Sequence, residues 1–166
     1  MTKTLVFDMD GTIANLYAVT DWLENIIAEN VRPYAIAEPM YNMNKLVNVI
    51  NRLKENGWRV AIVSWTSKHG SKKYNRAVRR VKKEWLDHYN FPYDELHIIK
   101  YGTPKSNCMR KTGGFQILFD DEEPNRKAWR NGSTVNANED IYKILKNMLT
   151  DESRNVIIKK QSRDAR

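Results

Sequence analysis

Two short acidic stretches, far apart in the chain, carry the residues best suited to chemistry. The first is Phe7-Asp8-Met9-Asp10-Gly11-Thr12 and the second is Phe119-Asp120-Asp121. Each follows an apolar run of strand length, and open parallel sheets bind ligands outside the carboxyl ends of their strands. Asp8 and Asp10, two residues apart where a strand stops, can both face one small volume. Gly11 lets the chain turn sharply and approach an oxyanion closely. Thr12 offers a hydroxyl and a backbone N–H. Carboxylates that converge at one rim repel one another unless a cation joins them. Magnesium takes oxygen ligands, keeps several waters, and commonly binds through one or two carboxylates plus phosphate oxygens. The acids therefore predict a Mg2+ site.

Two further residues fit the same chemistry. Ser64 ends the run Arg59-Val60-Ala61-Ile62-Val63, where its hydroxyl could donate to a phosphoryl oxygen. Lys105, in Gly102-Thr103-Pro104-Lys105, could neutralise charge on a transferring phosphoryl group. Lys100 lies close enough in sequence to hold that role instead.

In order and type, these residues resemble the motifs of the haloacid dehalogenase (HAD) superfamily. The matching pieces are an apolar strand with Asp-x-Asp-Gly-Thr at Asp8 to Thr12, a strand-terminal Ser64, the lone Lys105, and the pair Asp120-Asp121. The resemblance spans about residues 4–149 and implies roles. Asp8 would attack phosphorus to form an aspartyl-phosphate. Asp10 would protonate the leaving group and then activate water. Asp8, the Asp10 carbonyl and Asp120 would hold Mg2+, with Gly11, Thr12 and Asp121 in support. Ser64 and Lys105 would bind the phosphoryl oxygens. Two subfamilies are similar in more detail. The opening Asp8 to Asn15 resembles deoxyribonucleotidases, although those usually have a branched apolar residue at the place of Thr12 and an acid at that of Asn15. The basic helix ending Lys83-Glu84-Trp85, and Asp120-Asp121 followed by Trp129, resemble the phosphatase domain of polynucleotide kinases.

Apolar runs of strand length alternate with helical patterns, which argues for an α/β fold: a Rossmann-like, doubly wound parallel sheet with helices on both faces. Five strands are expected, at Leu5-Phe7, Arg59-Val63, Leu96-Ile99, Phe115-Phe119 and Ser133-Val135. Amphipathic helices are expected where Trp22, Ile26 and Ile27 share a face after a Thr20-Asp21 cap, and along Leu46, Val49, Ile50 and Leu53 up to Gly57. Two more follow Tyr74, Val78, Val81 and Trp85, and Ile141, Ile144, Leu145 and Met148. Residues 1–150 would form the phosphatase domain. A small helical cap insert is expected at about 15–41, with turns at Arg32-Pro33-Tyr34 and Glu38-Pro39. Residues 151–166 would be a basic, flexible tail, with a short strand at Val156-Ile158 as the alternative.

The chain has 166 residues, 41% of them apolar, which suits one domain with a proper core. A formal charge of +8 favours anionic partners. Cys108 is the single cysteine, so no internal disulfide and no cysteine-rich zinc site is possible. The three histidines have no metal-ligand spacing. The amino terminus lacks a signal-peptide layout, and no apolar run is long enough to span a bilayer. A cytoplasmic monomer without membrane contact is expected. Between Lys68 and Lys83 eight cations occur with no acid, predicting an outward basic face suited to a polyanion. Lys72 and Arg76 on that face, and Trp65 beside Ser64, are the candidate substrate contacts; Tyr17, Tyr41 and His69 are weaker ones. The tail from Lys159 to Arg166 could add weak attraction to nucleic acid. The expected substrate is a phosphorylated small molecule of the nucleotide class, as for a 5'(3')-deoxyribonucleotidase. The rivals are a nucleic-acid end, as for a polynucleotide 3'-phosphatase, and a non-catalytic HAD-fold module that binds nucleic acid.

Overall fold

The computed structural model describes residues 2–164, with side chains described as far as Glu152. In chain order, β1 (Lys3–Phe7) is followed by a short 3-10 turn at Leu16–Ala18, α1 (Trp22–Ile27), α2 (Arg32–Ile36), α3 (Met43–Glu55) and β2 (Trp58–Trp65). Then come α4 (Lys72–His88), β3 (Glu95–Ile99), α5 (Lys105–Met109), β4 (Phe115–Asp120), α6 (Glu123–Ala128), β5 (Gly132–Asn136) and α7 (Ile141–Asp164). The five strands form one sheet in the order β3-β2-β1-β4-β5, with every pairing parallel. This is the α/β sheet that the alternating pattern predicts. The chain walks outward from β1 to β3, then returns to the other side of β1 for β4 and β5. The reversal puts a crevice between the carboxyl ends of β1 and β4, where such sheets bind ligands.

Strand side chains alternate between faces, and the core follows that rule. Leu5, Phe7, Val60 and Ile62 meet α3 and α7 through Leu46, Ile50, Leu53, Ile141 and Leu145. Val6, Ala61, Val63 and Leu118 face the other way, onto Met109 and Trp129. With helices on both faces, β1 is apolar on both, so Leu5, Val6 and Phe7 are all fully buried. Phe7 stacks on Phe119 at 4.8 Å between ring centroids and meets Phe91 edge-on at 5.6 Å. Phe7 and Phe119 are register partners, and the Asp8 N–H donates to the Phe119 carbonyl at 3.0 Å. This packing locks together the two strand ends that precede the acids. Truncating Phe7 to alanine would cost about 3–5 kcal/mol.

The insert after β1 leaves and returns at one place. Ala14 bridges antiparallel to Pro39, with Asn15 N–H donating to Glu38 O and Met40 N–H to Ile13 O. Its apolar side packs on α4, where Leu16, Tyr34, Tyr74, Val78 and Val81 form a separate cluster with Trp22 and Ile26. Three local expectations change. Arg32-Pro33-Tyr34 is the first turn of α2 rather than a loop, because proline presets φ for a helix start. Asp21 precedes α1 with φ 54° and makes no side-chain cap bond. Ile27 is 74% exposed and leaves the face shared by Trp22 and Ile26. At the other end, α7 carries the backbone helically to Asp164, so no strand forms at 156–158. The basic side chains from Lys159 to Arg166 lie outside the described residues.

Candidate active site

The site is built at the crevice between β1 and β4. Carboxylate oxygens of Asp8, Asp120 and Asp121 lie within 4.8 Å of one another. Asp8 and Asp120 are buried, and the Lys105 ammonium joins them, with Nζ 2.7 Å from Asp8 Oδ1 and 2.7 Å from Asp120 Oδ2. Lys105 opens α5 directly after Pro104, and its side chain is itself buried. Lys100 is exposed, so of the two lysines considered, Lys105 is the one that meets the acids. Asp120 is held further by the Glu122 N–H at 2.9 Å and the Asn125 amide at 3.2 Å, both donating to Oδ1. Arg126 steadies the turn by donating to the carbonyls of Asp120 and Asp121 at 2.8 and 2.7 Å.

The loop after β1 is equally constrained. Gly11 has φ 77°, and a Cβ there would run into the Asp121 carboxylate and lie 2.7 Å from the Tyr17 ring. Only glycine permits that approach. Thr12 is buried, and its hydroxyl donates to Asp121 Oδ1 at 3.5 Å.

Asp10 and Ser64 are tied together by Lys82. Its ammonium donates to Asp10 Oδ2 at 2.5 Å, Ser64 Oγ at 2.9 Å and the Trp65 carbonyl at 2.8 Å. Lys82 is 1% exposed, which corrects the expectation that all the cations of this helix point outward. The signal was present in the spacing. Lys82 falls four residues after Val78 and four before Leu86, on the buried row of α4.

Crowded acids in a desolvated place hold their protons more tightly. Burial pushes the Asp121 carboxyl up to about 7, helped by the charges of Asp8 and Asp120. Burial also raises Asp10, with Lys82 opposing and Asp8 adding, and raises Asp120, with Asp8 adding and Lys105 opposing. Burial would lower the Lys105 ammonium, but the carboxylates of Asp8 and Asp120 outweigh it and raise its pKa. Such strain among acids is what a divalent ion relieves. The donor set, hard oxygens only with the Asp10 carboxylate turned away to Lys82, fits Mg2+.

A cavity of about 760 Å3 opens beside these groups, lined by Asp8, Asp10, Lys105 and Asp121 on the sheet side. The insert supplies Leu16, Tyr17, Trp22, Leu23, Ile26, Ile27 and Tyr34, the end of β2 supplies Trp65, and the loops after β2 and β3 supply Lys68, His69 and Tyr101. Trp65 is fixed by its Nε1–H donating to the Thr103 carbonyl at 2.9 Å and packs on Tyr101 at 4.8 Å. Lys72 and Arg76 stand exposed on α4 and do not line this cavity. Tyr41 also lies elsewhere, donating to the Glu139 carbonyl at 3.2 Å. Tyr34, Tyr101 and Asn125 carry no distinguishing signal in sequence, since aromatic and amide residues are as often core or solvent groups.

No protein-family model matches the sequence. No curated protein matches it. Solved structures do. The D,D-heptose 1,7-bisphosphate phosphatase of B. bronchiseptica, complexed with magnesium and phosphate, aligns over 90% of this chain and 99% of its own, with 11% identity and a TM-score of 0.55. The enzyme of the same name from Burkholderia thailandensis aligns over 89% and 99%, with 10% identity and a TM-score of 0.55. The chain has the fold of these phosphatases. A Mesorhizobium loti protein assigned as a HAD-like phosphatase aligns over 81% of this chain and 70% of its own, with 15% identity and a TM-score of 0.51.

Proposed function

We propose that this chain is a Mg2+-dependent phosphomonoesterase that works through an aspartyl-phosphate on Asp8 and acts on a small nucleotide. The observation that carries the reading is the Lys105 ammonium joining Asp8 to Asp120 at 2.7 Å each, in the wall of an aromatic cavity. An ammonium has three donors. Two serve the acids, and the third is free for a phosphoryl oxygen.

The residues divide the work as follows. Asp8 attacks phosphorus while the bond to the leaving oxygen breaks, and Asp10 gives that oxygen its proton. Asp10 then takes a proton from water as the water oxygen attacks phosphorus, releasing phosphate and restoring Asp8. Ser64 and Lys105 hold the phosphoryl oxygens. Asp8, Asp120 and the Asp10 carbonyl would hold Mg2+, with Asp121 beside them; the ion supplies charge stabilisation at the phosphoryl group. The insert acts as the cap. Its aromatic and aliphatic lining offers faces on which the planar base of a nucleotide can stack, and the volume lies within the range of small-molecule sites.

The exposed cations of α4 favour a second reading, a polynucleotide 3'-phosphatase. It is the weaker one. Lys72 and Arg76 lie outside the cavity, Arg79 donates to the Ile98 carbonyl, and Lys83 pairs with Asp87. The experiment compares phosphate release, with Mg2+, from deoxynucleoside monophosphates, a sugar phosphate and a 3'-phosphorylated oligonucleotide. Preference for the monophosphates supports the first reading. Preference for the oligonucleotide, with a steep salt penalty, replaces it by the second. Release from none of these or from an aryl phosphate, with nucleic-acid binding retained, leaves a non-catalytic module.

A further inference from the structure

Lys82 has no part in the mechanism above, yet it is the most deeply buried cation at the site, with 1% of its side chain exposed. A buried ammonium is strongly disfavoured unless each of its hydrogens finds an acceptor. Here all three do: Asp10 Oδ2, Ser64 Oγ and the Trp65 carbonyl, at 2.5, 2.9 and 2.8 Å. The Tyr34 ring of the insert covers it at 4.9 Å from Nζ. With its donors saturated, Lys82 has none left for a substrate. It differs in this from Lys105, whose two carboxylate bonds leave one hydrogen over.

The acceptors it chooses have consequences for proton placement. A carboxyl oxygen that accepts from an ammonium cannot also carry the acid's hydrogen toward that ammonium. The carbonyl oxygen of a carboxylic acid is the stronger acceptor, so when Asp10 is protonated the bond from Lys82 to Oδ2 favours the hydrogen on Oδ1. Asp10 lines the cavity and its side chain is 20% exposed. Likewise, a Ser64 hydroxyl that accepts from Lys82 must direct its own hydrogen elsewhere.

We propose that Lys82 is a positioning residue that makes Asp10 present its proton on Oδ1 to the leaving group and makes Ser64 a donor to the phosphoryl oxygens. The inference rests on the phosphohydrolase reading. In the first step the Asp8–phosphorus bond forms, the bond from phosphorus to the leaving oxygen breaks, and the Oδ1 proton passes to that oxygen. Lys82 neither gains nor loses a proton.

The test uses two substrates that differ in their need for that proton. A nucleoside 5'-monophosphate has an alkoxide leaving group and needs it. 2,4-Dinitrophenyl phosphate has a stable phenolate leaving group and does not. The measured quantity is kcat/KM, which covers steps through formation of the aspartyl-phosphate. Lys82→Met is expected to lose about a hundredfold or more on the nucleotide, the scale of general acid catalysis, and about tenfold or less on the dinitrophenyl ester, through Ser64 alone. In an Asp10→Asn background, adding Lys82→Met is expected to cost about tenfold or less on the nucleotide, the share that passes through Ser64, because the acid it serves is already gone. Equal losses on both substrates, or losses that multiply in the double variant, would overturn the proposal in favour of a purely structural role. If Lys82→Met alone does not fold, the Asp10→Asn comparison decides, since that pair leaves no unpaired buried carboxylate. A wild-type protein inactive on both esters removes the phosphohydrolase reading and this inference together. An active wild type, silenced by Asp8→Asn, with equal losses in Lys82→Met removes this inference alone.

Discussion

Replacing Lys105 by methionine should destabilise the metal-free protein and tighten its hold on Mg2+ at the same time. The side chain is 3% exposed and its ammonium is shared by Asp8 and Asp120, with Asp121 in the same cluster. Its removal takes the group from two formal negative charges to three. Breaking a buried pair by deleting one partner costs about 3–5 kcal/mol. In a domain of this size about 1 kcal/mol moves Tm by roughly 2–4 °C, so Tm should fall by roughly 6–20 °C. The loss should be larger at pH 8 than at pH 5, because Asp121 takes up a proton as pH falls and eases the repulsion. Mg2+ replaces the missing charge. At one hundred times its Kd it adds about 2.7 kcal/mol of stability, and that Kd should be lower than in the wild type. The assay is thermal unfolding with and without Mg2+, together with a calorimetric Mg2+ titration. An unchanged Tm without metal, or weaker Mg2+ binding in the variant, would refute the reasoning. Phosphate release should still drop by about 10²–10³-fold, the scale expected when a group that stabilises transition-state charge is removed.

Four further outcomes follow from the same geometry. Asp121 titrates near 7 in the folded chain and near 3.8 when free. The folded state therefore binds the extra proton between those values, and metal-free stability should fall as pH rises from about 4 to about 7; a flat or rising Tm there contradicts the placement. Mg2+ must displace that proton, so its affinity should climb as pH rises toward 7 and level off above it, read by titration at pH 6 and pH 8. Gly11→Ala forces a side chain into the Asp121 carboxylate at a backbone conformation of φ 77°, and should cost about 1–3 kcal/mol along with Mg2+ affinity; wild-type metal binding in a folded variant would count against the loop geometry. Trp65→Ala should raise KM for a nucleoside monophosphate by roughly tenfold, within the 1–3 kcal/mol range of base stacking, and leave inhibition by inorganic phosphate nearly unchanged; a pure kcat loss would place Trp65 outside substrate binding.

How much of this was legible from sequence depends on whether a residue's role is local. All five strands and the long helices are found where the apolar periods predict them, because a β1 buried on both faces leaves an unmistakable run at Leu5 to Phe7. Asp8, Asp10 and Gly11 follow that strand directly, and Asp120 ends another, so chain position alone put them at one rim. Position in a loop before a short helix favours Lys105 over Lys100, but only the fold brings it to the acids. Lys82 was overlooked because it sits in a run of exposed cations, although its place on the Val78 and Leu86 row marks it as inward. The cavity wall was least legible. Sequence marks Tyr17 as a candidate contact, but Tyr34 and Tyr101 join it only when the insert folds back through Ala14 and Pro39 and packs on α4.

The central claim is that Asp8 carries the phosphoryl group, and chemical trapping reads it directly. The protein is mixed with Mg2+ and a rapidly cleaved aryl phosphate, quenched with borohydride, digested and weighed by mass spectrometry. An acyl phosphate on Asp8 is reduced to homoserine, so the peptide holding residue 8 should shift in mass, and the shift should vanish in Asp8→Asn. Rapid turnover with label on a different residue, or with none at all, would contradict the account.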